Sequence, residues 1–362
     1  MGSSFRKQRA AFLLLTAIAV SVQKAGAQAP PEPGRPQTGW NVASETTSLP
    51  VFEFHSGFWV NLHHFLYQTA REQRNSTAAP TSGSATAGGS VKLTEDEERA
   101  WKAAVDYYAA NYAGRDLLFN GDLIALKNQL GDVETCADLS GRSGTRCNAG
   151  LGPELTRVLE QAAAVYRAHW WPEDDRANRR WTAHVAPLVR QLGKQLAEEL
   201  ARLYQAKWPA QKVRVDVSAY ANWSGAYTTL EPLRVTIASL DRRNQGTAGF
   251  EILFHEASHG LAGPVQDAIV RECRQRGKPI PRDLWHALLF YTTGEAVKNV
   301  VKQGATTAGG PGAPGYTPYA VREGLYTRGW SNYLRVIEKF WKPYLDGQAD
   351  FSDAIARMVS AL

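Results

Sequence analysis

The chain has 362 residues, 44% of them hydrophobic and 21% charged, with 41 basic against 35 acidic side chains and a formal charge of +6. That length and apolar share suffice for one large core or two lobes, and eleven tryptophans with fourteen tyrosines exclude a compositionally disordered chain. Setting aside Arg6, Lys7, Arg9 and Lys24, four basic residues with no acid among residues 1–28, takes the charge from +6 to +2. The remaining basic clusters, such as Arg179-Arg180 and Arg242-Arg243, are short and interrupted, so no nucleic-acid face is expected.

In chain order, Arg6, Lys7 and Arg9 precede an uncharged apolar run from Ala10 to Val22 and small residues at Ala25, Ala27 and Ala29. This predicts a signal peptide over 1–28 and a secreted or periplasmic protein. The apolar run is too short for the ~20 residues that span a bilayer, so no stable membrane span is expected after cleavage. Residues 29–50 are Pro-rich and polar and read as a disordered leader. Phe58, Leu62, Phe65, Leu66 and Thr69 then predict a first helix within 54–73. A low-complexity linker follows at 75–90. Thr94 ahead of Glu95, Asp96 and Glu97 marks the N-cap of a helix running to about Tyr112. Further helices are expected near 115–131, 153–170 and 176–206, completing a helical lobe over 51–210. Cys136 and Cys147 flank a Gly- and Ser-rich loop and form a candidate disulfide in an oxidising compartment, leaving Cys273 as a buried, inert thiol.

Character changes at 212, where Val213, Val215 and Val217 alternate with polar residues. With short strands in 222–229 and 233–239, this predicts a small antiparallel sheet, with 235–239 as its exposed edge. Helices are expected at about 247–261, 264–276 and 282–302, then a Gly/Pro loop at 304–316 and helices near 329–345 and 350–361. The fold class is α+β, mainly helical, with the small antiparallel sheet directly before the helix at 247–261.

The region that opens at 247 contains FEILFHEASHGL, residues 250–261. On a helix His255 and His259 lie one turn apart on one face, as two adjacent corners of a tetrahedral zinc require. Glu256 sits about 100° further round, near the metal but off its corner, where it can take a proton from water. The competing reading is a structural helix that happens to carry two imidazoles. The apolar approach EILF and the small uncharged Ala257 and Ser258 between the histidines favour a buried zinc site.

The sheet followed by LFHEASHGL resembles the active-site region of zincin-type zinc metallopeptidases over roughly residues 212–300. Ala257 departs from the bulky apolar residue many of them carry. Ala262 and Val265 stand where the metzincin extension needs Gly and His. The resemblance therefore implies a gluzincin-like pattern, with Glu295 as third ligand and Asn299, one turn on, supporting a ligand histidine. His286 is the competing residue: a ligand, a substrate-side donor, or a packed histidine. It lies nine residues before Glu295, half a turn after whole turns are removed, so only one of the two can face the metal. Gly294 would allow close approach of two helices there. Among Tyr316, Tyr319 and Tyr326, one is a candidate oxyanion donor, with Tyr326 preferred. His55, His63 and His64 form a histidine-rich N-terminal cluster without a nearby acidic partner, so packing or surface roles are expected over a second metal.

These readings converge on a secreted or periplasmic Zn2+-dependent metallopeptidase over 211–362, acting on peptide or protein substrates. Its ligands would be His255, His259 and Glu295, with Glu256, Tyr326 and His286 as catalytic candidates. The alternative is a zincin-like binding protein with a structural metal and no peptidase activity.

Overall fold

The computed structural model describes residues 46–75, 91–307 and 315–362. The expected signal peptide, most of the leader, the linker from residue 76 and the middle of the Gly/Pro loop lie outside the described residues. The chain is mainly helical with a small mixed sheet. Strands β1 (Thr46–Ser48) and β2 (Phe52–His55) lead into α1 (Phe58–Asn75), α2 (Glu95–Asn111), α3 (Gly121–Asp132), α4 (Pro153–His169) and α5 (Trp171–Leu203). Then come β3 (Val213–Ser218), β4 (Ala226–Leu230), β5 (Leu233–Ala238), α6 (Gly246–Ser258), α7 (Gly263–Gln275) and α8 (Leu284–Thr307). Short helices α9 (Tyr319–Arg322), α10 (Ser331–Val336) and α11 (Lys342–Leu345) precede the last, α12 (Phe351–Ala361).

Local chemistry sets several of these boundaries. Thr94 accepts a hydrogen bond from the Glu97 backbone N–H at 3.3 Å, and the Glu97 carboxylate accepts from Thr94 N at 2.9 Å, a reciprocal cap on α2. Pro153 occupies the first turn of α4, where a missing N–H costs no helical bond. The helix expected over 329–345 is broken instead, with wide π-type turns at Tyr326–Trp330 and Ile337–Trp341. Cys136 and Cys147 are disulfide-bonded, and Cys273 is a buried free thiol. Among the described residues no helix is long and apolar enough to cross a membrane.

The sheet differs from the expected antiparallel one. Its order is β1-β2-β3-β5-β4, with β2 parallel to β3, β3 parallel to β5, and β4 antiparallel to β5. Two of its strands come from the N-terminal segment, and β1 falls inside the span expected to be a disordered leader. A three-residue strand carries too little periodicity to be seen locally. The proposed edge at 235–239 is also displaced. β5 lies between β3 and β4, so the edge next to the motif is β4. The β4–β5 hairpin folds outward from β3, and β5 thereby takes the interior place.

The sheet has two unlike faces. Phe52, Phe54, Val215, Val217, Val235 and Ile237 join α5, α6, α7 and α8 in one hydrophobic cluster, while α1 to α4 build a second. Helix α5, expected in the N-terminal lobe, thus buries its apolar stripe with the motif-bearing region. The opposite sheet face carries a register-matched polar row: His55 opposite Asp216, Asp216 opposite Thr236, Thr236 opposite Tyr227. Fully buried Lys127 from α3 reaches Asp216 at 3.3 Å, and Arg214 Nε lies 2.7 Å from the same carboxylate. Burial alone would raise the Asp216 pKa, but Lys127 and Arg214 hold it well below the carboxylate range. The N-terminal histidines complete this layer. His55 Nδ1 is 2.8 Å from Glu134, His63 Nδ1 3.0 Å from the Tyr108 hydroxyl, and His64 sits between Ser218 and Tyr227 at 3.0 and 2.9 Å. They are packing residues.

Two stability predictions follow from this layer. Lys127→Met strands part of a buried negative charge, and urea unfolding should show a loss of about 3 kcal/mol. His63 is held neutral by burial, then by Lys127, with its pKa lowered to about 3. The unfolded chain therefore takes up a proton near pH 6.5 that the folded chain refuses, and stability from this group falls as pH drops below 6.5 toward 3. His63→Gln should flatten the pH dependence of unfolding between pH 6 and 5 by about 1 kcal/mol per pH unit relative to wild type.

Candidate metal centre

Helix α6 is buried from Ala248 to Ser258. It packs against α5 and α8 and lies under β4 and β5. Gly249 permits the approach to the preceding turn, since a Cβ there would stand 2.4 Å from the Asn244 backbone oxygen. His255 lies in the last turn of α6, and His259 begins the 3-10 turn that follows it.

The first turn of α8 brings His286 to these two. Ligand atoms of His255, His259 and His286 all lie within 4.8 Å of one another, and the His255 and His286 Nε2 atoms are 3.3 Å apart. Two nitrogens at ~2.05 Å from a tetrahedral metal are separated by ~3.3 Å, so this edge has the dimension a bound zinc needs. Burial lowers all three imidazole pKa values, His259 to about 3 and His286 to about 4, with the neighbouring imidazoles adding to the shift at His255 and His259. The rings are thus held neutral, the form that ligates. Donor set, spacing and protonation all fit a divalent metal of zinc type.

Glu256 stands beside this cluster, with Oε2 3.9 Å from His259 Nε2. Thr228 on β4 places its hydroxyl 2.7 Å from Glu256 Oε2 and 2.8 Å from the Glu256 backbone oxygen. Burial pushes the carboxyl up to about 7, against the opposing Thr228 hydrogen bond. Around the histidines stands an aromatic wall. Phe290 stacks on His255 at 3.6 Å between centroids and 19° between planes, Trp285 lies edge-on to His259, and Trp330 edge-on to His286.

Glu295 is not in the cluster. Its carboxylate bonds Lys298 Nζ at 3.1 Å, and with Asn299 it lines a groove of about 400 Å³ between α5 and α8. The half-turn relation is seen in α8, but the residue turned to the paired histidines is His286, near the start of the helix. The relative rotation of α8 and α6, which local spacing does not report, makes that choice. Asn299 is exposed, and His255 Nδ1 is buried with no hydrogen-bond partner among the described residues. Gly294 makes room for Pro318, 2.7 Å from where its Cβ would stand, and for Glu251 at 3.2 Å. The tyrosines are otherwise committed: Tyr326 donates to Ala287 O at 3.3 Å and Tyr316 to Glu251 at 2.7 Å, while the Tyr319 ring stacks on Phe290. Neither Thr228 nor Phe290 carries a local sequence signal for a place beside Glu256 or His255. Only Glu251, one turn before His255, had a local signal.

No protein-family model, curated protein or solved structure matches this chain. The geometry makes a separable forecast for the third ligand. Metal analysis of purified variants should find zinc lost from His286→Ala but retained at wild-type stoichiometry in Glu295→Ala.

Proposed function

We propose that this protein is a zinc-dependent hydrolase, most directly a metallopeptidase, with His255, His259 and His286 as metal ligands and Glu256 as general base. The observation that carries this reading is the convergence of three neutral imidazoles beside a buried carboxylate. Three protein ligands are the catalytic pattern, whereas structural zinc sites close with four. This favours an enzyme over a binding protein with a structural metal.

Zinc bound there would polarise a substrate carbonyl and make water acidic enough to attack near neutral pH. The chain's own residues supply the rest. Glu256 accepts the proton from the attacking water and returns it to the leaving amine. Thr228 holds that carboxyl in place from the edge strand. β4, as the sheet edge beside the site, offers backbone groups along which an extended peptide can lie. The aromatic wall excludes bulk water from one side of the histidines. The signal-like N-terminal sequence supports action outside the cytoplasm.

Glu256→Gln keeps the shape of the side chain and removes the base. Assayed on a broad peptide library, it should lose at least about 100-fold in kcat/KM while zinc stays near one per chain. Zinc loss as complete as in His255→Ala would make Glu256 a ligand and defeat the mechanism. A wild-type protein that holds zinc and cleaves nothing would favour the binding-protein reading.

A further inference from the structure

Metal-binding histidines ordinarily have their ring orientation set by a hydrogen bond to the outer nitrogen. His255 lacks one: its Nδ1 is buried without a partner among the described residues. Its ring is instead pressed face to face on Phe290, 3.6 Å between centroids. Phe290 in turn lies nearly parallel to Tyr319, 13° between planes at 6.0 Å. Tyr319 ends a segment, 315–319, that meets α6 and α8 and is hydrogen-bonded to Glu251. There the buried Glu251 carboxylate accepts the Tyr319 backbone N–H at 3.1 and 3.0 Å and the Tyr316 hydroxyl at 2.7 Å. Gly294 lets the segment sit this low, because any Cβ would strike Pro318.

We propose that Glu251 is the positioning residue of the histidine cluster, orienting the His255 ring through the Tyr319–Phe290 stack in place of an outer-nitrogen hydrogen bond. A buried carboxylate on the ligand-bearing helix is costly to retain for packing alone. Here it anchors Tyr316 and Tyr319 and so fixes the aromatic backing of His255. Phe290, the ring in contact with His255, has no polar atom to compete for the metal, so it restrains rotation of the imidazole without altering its charge. The inference rests on the metal-site reading for its functional consequence, but the restraint on His255 is a property of the protein itself.

The experiment has two arms on the full chain. Histidine-selective NMR of metal-free protein follows the His255 ring with His259 as internal control, and cobalt(II) titration follows affinity and the visible spectrum of the bound ion. Glu251→Ala should shift or broaden the His255 signal while His259 stays in place. It should weaken cobalt binding roughly tenfold, with an altered spectrum. Phe290→Leu should do the same. Glu251→Gln, which keeps an acceptor for the Tyr319 N–H, should fall closer to wild type, and Tyr316→Phe should lie between. Should Glu251→Ala fail to fold, Phe290→Leu and Tyr316→Phe carry the test. An unmoved His255 signal with cobalt affinity within twofold of wild type in the folded variants overturns the proposal, as does an equal shift of His255 and His259. If wild type binds no cobalt, the metal reading fails, and the NMR arm alone decides whether Glu251 orients His255.

Discussion

Everything around α6 follows from burying ionisable groups in an apolar core. From Ala248 to Ser258 the helix is out of solvent, yet it carries Glu251, His255 and Glu256. Isolated charge at such positions is prohibitive, so each group must be neutral, paired or hydrogen-bonded. The three imidazoles meet this by losing their protons and converging. The two acids meet it with donors brought from elsewhere, Thr228 for Glu256 and the 315–319 segment for Glu251. The edge strand, the first turn of α8 and that segment are thereby bound to one helix. Three neutral imidazoles gathered beside a hydrogen-bonded carboxyl are what this solution produces.

The sheet isolates that site from a second set of buried charges. Its apolar face packs against α5 and α6, while its polar row meets α1 and α3 on the other side. Asp216, Lys127, Arg214 and Glu134 compensate one another there. Such a network adds little net stability compared with an apolar core, but it penalises any strand slip, since moving a strand by one residue would turn Asp216 or Thr236 into the aliphatic layer. Register is therefore doubly specified. That register carries through β5 to β4, from which Thr228 reaches Glu256.

By itself the sequence determined what is local. Thr94 with Glu97 determined the start of α2, and the alternation of Val213, Val215 and Val217 determined a strand. The four-residue spacing of His255 and His259 determined a shared helical face, because each of these effects acts within one or two turns of chain. Tertiary structure decided what depends on two distant segments meeting. It paired Phe52–His55 with a strand some 160 residues later, set β5 inside β4, and put three N-terminal histidines into a packed polar layer. It also rotated α8 so that His286, and not Glu295, faces the paired histidines. The half-turn between those two residues was legible in the sequence. Which of them points inward was not, because the angle at which one helix presents itself to another is set by the packing of both against the sheet, and no spacing within α8 encodes it.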